Sequence, residues 1–155
     1  MNPTPGSDLL GQILEHTRLK GRLYCRTVAR APWGLRMAPT QTATLHLVVA
    51  GTSVLIQGGE TLPLGPGDVV LLPRGDGHAL ADSPRSPKLA LEAWLATRGE
   101  AASSYVLGGS GVESRLLCGS FAFDEPGAHP VLRLLPERVH LRGASEEARA
   151  LLPTV

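Results

Sequence analysis

The sequence predicts a mainly β domain of short antiparallel strands, closed into a sandwich or barrel, with a short N-terminal helix and few additional helices. Two observations carry this. The chain holds 18 Gly and 13 Pro in 155 residues, spread as punctuation between short apolar runs, which suits many strands and few helices. Those runs follow one another too closely for parallel crossovers, so antiparallel pairing is expected. The length suits one domain, and 43% hydrophobic residues suffice for one sizeable core.

The elements follow in order. In "SDLLGQILEHTRLKG" Ser7 is an N-cap candidate, Leu9, Leu10, Ile13 and Leu14 recur at helical spacing, and Gly21 closes the segment. This predicts an amphipathic helix over about residues 8–18. "GRLYCRTVAR" then reads as a strand with Leu23, Cys25, Thr27 and Ala29 on one side. "APWGLRMAP" is a short extended segment bounded by prolines. Residues 43–81 predict strands at about 43–50, 52–57, 60–64, 69–72 and 77–81, most of them separated by glycines. A further strand is expected at about 88–96. "RGEAASSYVLGGSGVESR" reads as a Gly-rich connection, "SRLLCGSFAFD" as another strand, and "HPVLRLLPERVHLRG" as a turn or helical piece followed by an extended one. Ser145 is a candidate N-cap for a helical start near the C-terminus.

Composition removes several function classes. The formal net charge is +1 with no run of Lys or Arg, so bulk electrostatics give no ground for nucleic-acid or anionic-membrane binding by these residues. No stretch approaches the roughly 20 apolar residues of a membrane helix, and the N-terminus lacks the pattern of a signal peptide. The expected compartment is the cytoplasm. Two cysteines are too few for a disulfide scaffold. No nucleophile elbow, phosphate loop or dinucleotide fingerprint is present.

The stretch "GDVVLLPRGDGHALAD" carries the chemistry. Gly67, Pro73, Gly75 and His78 fit the pattern G-x5-P-x-G-x2-H, with Asp82 where an Asn is usual. Pro and Gly supply a tight turn that redirects a strand and brings the histidine to a barrel mouth. This pattern resembles the second cupin motif. Together with "LYCRTVARAPWGLR", "LHLVVAG", "SRLLCGSFAFD" and "HPVLRLLPERVHLRG", the chain resembles the N-terminal cupin-type domain of AraC-family transcription regulators over most of residues 7–143. The resemblance implies an antiparallel cupin (double-stranded β-helix or jelly-roll) barrel that senses a small effector and often dimerises. It assigns residues 1–143 to the sensor domain and 144–155 to the start of a helical linker, toward a DNA-binding domain that this chain does not contain.

In metal-dependent cupins a first motif supplies two histidines and a glutamate. Counting back from Gly51, those slots hold Ala38, Thr40 and Thr44, none a good metal ligand. This argues against an ordinary cupin dioxygenase or isomerase, and no catalytic residue is expected. His46 lies two residues after Thr44, on the same face of its strand. His46 and His78 are therefore candidate effector-pocket residues, with Trp33 beside Gly34 as a candidate wall. A satisfied buried histidine pair is the plainer alternative.

Cys25 and Cys118 each fall in a predicted strand of the same barrel, and the resemblance places cysteines at both positions. Two thiolates and two imidazoles, Cys25, His46, His78 and Cys118, would make a closed tetrahedral zinc site; two buried thiols is the alternative. His16, His129 and His140 read as surface, turn and edge residues, and Arg74 and Asp76 as solvated flanks of the motif turn. The expected function is a ligand-sensing, dimerising regulatory domain and not an enzyme, binding a small effector, a zinc ion, or both. A metal-dependent cupin enzyme acting on a small polar substrate and a ligand-free structural domain are the competing readings.

Overall fold

The computed structural model describes residues 20–97, 104–122 and 134–143. The helix expected over 8–18, the linker expected over 144–155, His16 and His129 lie outside the described residues. Within them the strands are β1 (Lys20–Arg30), β2 (Gly34–Met37), β3 (Ala43–Ala50), β4 (Ser53–Gln57), β5 (Glu60–Leu64), β6 (Val69–Leu72), β7 (His78–Ala81), β8 (Leu89–Ala90), β9 (Ser104–Gly108), β10 (Glu113–Ala122) and β11 (Val139–Leu141). One helix, α1 (Leu91–Ala96), follows β8. No helix among the described residues is long and apolar enough to cross a membrane.

The strands form two sheets. The larger runs β11-β6-β3-β10-β1-β9 and the smaller β5-β4-β7-β2-β8. Gly58 and Gly59, both at positive φ, make the two-residue turn joining β4 to β5, the geometry that matches strand twist in a tight hairpin. Most pairs are antiparallel, as expected. Two are not: β1 pairs β9, and β2 pairs β8, in parallel. More than fifty residues separate the members of each pair in sequence, so the long crossover that parallel pairing requires is available. Adjacent elements in the sequence gave no sign of it.

The segment expected as one strand over 88–96 is instead two extended residues, β8, and then α1. Leu91, Trp94 and Leu95 lie at i, i+3 and i+4, and "LEAWLA" is rich in good helix formers. Helical burial of Trp94 against the core therefore overrides the extended reading. The stretch read as a Gly-rich connection contains β9, whose Tyr105 and Leu107 are buried while Val106 between them is exposed.

Between the sheets lies the main core. Leu35, Leu55 and Leu80 from the smaller sheet meet Ala29, Val48, Val70, Leu72 and Leu116 from the larger. Alternation along β3 explains both faces of the larger sheet. Thr44, His46 and Val48 point inward, whereas Leu45, Leu47 and Val49 face outward, where Leu47 forms a second cluster with Val69, Leu117 and Leu141.

A candidate effector and metal site

Pairing register sets one row of residues across the larger sheet. Cys25 on β1 is the partner of Cys118 on β10, Cys118 is the partner of His46 on β3, and His46 is the partner of Val70 on β6. His78 opens β7 of the opposite sheet, where it pairs with Met37. The motif turn delivers it there. Gly75 takes φ +67°, and a side chain at that position would meet the carbonyl oxygens of Thr40 and Thr42. Glycine is thus required by both conformation and space.

Inside the barrel the two histidines touch. Their Nε2 atoms are 2.7 Å apart, and the rings meet edge to face with centroids 4.9 Å apart. His46 Nδ1 lies 3.1 Å from Cys118 Sγ, and His78 Nδ1 lies 2.9 Å from the carbonyl oxygen of Asp76. Burial pushes the pKa of His46 down to about 3, with His78 beside it adding to the effect. Burial also lowers that of His78, opposed by the carbonyl and the charge of Asp76. Both rings are therefore neutral near pH 7.

Neutrality fixes every proton in the chain. The Asp76 carbonyl can only accept, so His78 Nδ1–H donates to it, leaving His78 Nε2 an acceptor. His46 Nε2–H must then donate to His78, leaving His46 Nδ1 to accept from the Cys118 thiol. One backbone carbonyl thus orders three side chains from two sheets. Buried imidazoles left unpaired would each cost about 1–3 kcal/mol, and this chain removes that cost.

The chain lies on the wall of a cavity of about 230 Å³. Leu35, Met37, Leu91, Trp94, Leu95 and Tyr105 give it apolar walls, while Thr27, Thr40, Thr42, Thr44 and Ser120 contribute hydroxyls, and Glu92 a carboxylate. An apolar pocket with a few convergent polar groups is the usual form of a small-molecule site, and this one falls below the ~300–1,000 Å³ of drug-sized ligands. Ala38, Thr40 and Thr44, which occupy the metal slots of the first motif, all line it. None of the three carries an imidazole or a carboxylate.

The candidate residues are thus distributed as follows. His46, His78 and Cys118 come together in the cavity, and Cys25 adjoins them by register. Trp33 is not among the cavity-lining residues. It is 2% exposed in the core, and its backbone N–H donates to Asp82 Oδ1 at 2.8 Å. Asp82 also accepts from the Ser86 hydroxyl at 2.7 Å, so the residue replacing the usual Asn is a structural acceptor. Arg74 is not merely solvated, since it donates to the Leu135 carbonyl at 3.0 Å. His140 lies on the edge strand β11, as expected, 3.4 Å from Asp68. Sequence reasoning missed Leu35, Met37, Trp94, Leu95 and Tyr105 as cavity walls. The alternation of Leu35 and Met37 around exposed Arg36 was the available signal.

The donor chemistry suits a soft or borderline cation, and the geometry sets conditions on it. Zinc holds nitrogen at about 2.0–2.1 Å, which separates two tetrahedral ligands by about 3.3 Å. The two Nε2 atoms would have to part by about 0.6 Å from their present contact. Among the described residues no group of three His, Cys, Asp or Glu side chains is arranged to hold a metal.

Comparison with known proteins bears on this site. A family model described as cupin matches residues 8–155. HTH-type transcriptional regulator MtrA of Neisseria gonorrhoeae is 29% identical over 137 residues, covering 86% of this chain and 44% of the relative. The chain thus spans less than half the length of that regulator. The crystal structure of YhaK from Escherichia coli is similar at a TM-score of 0.49 and 8% identity, over 81% of this chain and 44% of that one.

Proposed function

Because the chain belongs to the cupin family, we propose that this barrel is the ligand-sensing domain of an AraC-type transcription regulator and has no catalytic activity of its own. The observation that carries the reading is the cavity wall. By the motif count Ala38, Thr40 and Thr44 stand where a metal-dependent cupin needs ligands, and all three line an apolar cavity beside the His46–His78–Cys118 chain. Such a site selects and holds a small molecule without providing a reactive centre. The similarity to an HTH-type regulator more than twice its matched length supports the regulatory role.

The proposal has three further parts. The cavity binds a small effector. The Cys and His cluster binds a zinc ion, with donors drawn from Cys25, His46, His78 and Cys118. The domain acts as a homodimer in the cytoplasm and reaches DNA only through a separate domain. Effector binding then biases the attached domain through a difference in affinity between two arrangements of the barrel and its flanking segments.

Thermal unfolding with a library of small, mainly apolar compounds tests the effector part, with Trp94 fluorescence in a Trp33→Phe background as the site-specific readout. Hits should raise Tm and perturb Trp94, and Thr44→Phe, which projects from β3 into the cavity, should abolish both effects. Hits that still bind Thr44→Phe would place the ligand elsewhere. Tight, sequence-specific DNA binding by these 155 residues alone in a gel-shift assay would contradict the division of labour.

A further inference from the structure

The outer face of the smaller sheet carries a groove with an unused cation. Arg36 stands outward on β2 between buried Leu35 and Met37. Its register partners are Ala90 on β8 and Ala79 on β7, and Ala79 in turn pairs with Ile56 on β4. This row lines an open groove of about 530 Å³, which Lys88 and, from α1, Glu92 also border. Arg36 is exposed and makes no hydrogen bond or ion pair among the described residues. We propose that the groove binds a small aromatic monocarboxylate, its carboxylate taken by Arg36 and Lys88 and its ring laid on Ile56, Ala79 and Ala90. The site lies outside the barrel interior, and its occupant needs neither the inner cavity nor a metal.

Donor chemistry, charge and shape support it. A guanidinium matches a carboxylate with two parallel hydrogen bonds, and Arg36 has no protein acceptor to give up first. Lys88 is already positioned. Its Nζ donates to the Pro84 and Ser86 carbonyl oxygens at 2.9 and 3.0 Å, which leaves one ammonium proton for a ligand. Two cations, Arg36 and Lys88, less the single carboxylate of Glu92 give the groove one net positive charge. One ligand carboxylate neutralises that charge, and a second would meet Glu92 unopposed. The small side chains of Ala79 and Ala90 on either side of Arg36 leave a low floor that suits a flat ring. The volume lies within the roughly 300–1,000 Å³ of small-molecule sites, whereas the inner cavity of about 230 Å³ falls below it. Met37, Ala38, His78 and Glu92 border both spaces. The floor nevertheless belongs to the side of the sheet opposite Leu55 and Leu80, which face the core.

Amide NMR titration of the full chain with 2-naphthoate provides the test, with 2-naphthamide as its uncharged isostere. 2-Naphthoate should bind one per chain and shift the amides of Arg36, Ala79 and Ala90. 2-Naphthamide should bind more weakly by about tenfold or more. Arg36→Gln should weaken 2-naphthoate by about tenfold or more, and its fold is not at risk because the side chain is exposed and unpaired among the described residues. Glu92→Gln should tighten 2-naphthoate by removing a like charge. Thr44→Phe, which obstructs the inner cavity, should leave 2-naphthoate binding unchanged. An absence of shifts at those amides up to about 5 mM ligand would overturn the inference, as would equal binding of the two compounds or an affinity indifferent to Arg36→Gln. Binding that Thr44→Phe abolishes would place the acid inside the barrel, overturning the groove while leaving the effector cavity standing.

Discussion

Mild acid should destabilise this barrel through one residue more than any other among the described residues. His46 is 2% exposed, and burial with His78 alongside lowers its pKa from 6.5 to about 3. The unfolded chain therefore takes up a proton below about pH 6.5 that the folded chain refuses until about pH 3. The stability owed to neutral His46 is complete above that window and declines as pH falls through it. Each pH unit inside it is worth about 1.4 kcal/mol, so acidification to about pH 4.5 should remove about 2.7 kcal/mol on account of His46 alone. His78 shifts in the same direction and adds to the loss. Asp68 and Asp82 behave oppositely. Their folded pKa values lie below 3.8, so their contributions persist until the pH drops through those lower values, and they hardly enter at pH 4.5. Urea unfolding of chelator-stripped protein at about pH 7 and about pH 4.5 measures the effect. His46→Gln keeps a hydrogen-bonding side chain without a titrating one, so its loss over the same interval should be smaller than that of wild type by about 2–3 kcal/mol. Equal losses in the two proteins would refute the claim that His46 is held neutral by burial.

Other substitutions probe the surrounding frame. Gly75→Ala should cost about 2 kcal/mol or more, because the residue sits at φ +67° with the Thr40 and Thr42 carbonyl oxygens where a methyl would go; an unchanged urea midpoint would contradict it. Asp82→Ala should cost about 1–3 kcal/mol by leaving the Trp33 N–H and the Ser86 hydroxyl without their acceptor, and the difference should shrink once acid protonates Asp82 in the wild type. Arg74→Ala should speed amide hydrogen exchange across Val139–Leu141 while leaving cavity binding intact, since the guanidinium holds the Leu135 carbonyl and Arg74 does not line the cavity. Trp94→Ala should lower Tm through lost core packing, by about 3–5 kcal/mol in stability, and should weaken binding of apolar cavity ligands at temperatures where it is still folded.

Where the sequence was readable, local chemistry was the reason. Residues 43–81 alternate or punctuate themselves with glycine, and their strands appear within a residue or so of the expected bounds. His78 was readable because Pro73 and Gly75 leave the turn few conformations. His46 was readable because strand parity ties it to Thr44. The misses share a different cause. α1 has too few residues for its periodicity to outweigh an extended reading, and Trp94 decides the matter only by packing on a core assembled from other strands. β9 exposes Val106 between buried Tyr105 and Leu107, but three alternating residues among glycines and serines carry little weight without the β1 partner lying far away in sequence. Trp33 adjoins a motif-like glycine, and its backbone is tied to Asp82, forty-nine residues on, a link that no local pattern announces. The Cys118–His46–His78 chain was readable as a meeting of residues and unreadable as an order of protons, because the deciding group is a backbone carbonyl.

The same motif stretch does a second job that follows from its geometry. His78 leans on the Asp76 carbonyl at one end of the turn, while Arg74, two residues earlier, grips the Leu135 carbonyl. Further back, β6 pairs along its length with β11, and Asp68 accepts from Gly143 N–H and Gly65 N–H and meets His140. Segment 134–143 is therefore seated on the stretch that delivers His78 to the cavity, and it shares the turn's backbone rather than merely lying near it. Gly67 and Gly143 approach so closely that a methyl on either would strike the other's backbone, so the seat has little slack. A ligand that draws the His78 ring toward itself must move the Asp76 carbonyl or break its hydrogen bond. A ligand that fits the cavity with His78 in place makes no such demand, however tightly it binds, because only a difference in affinity between two arrangements can shift their populations.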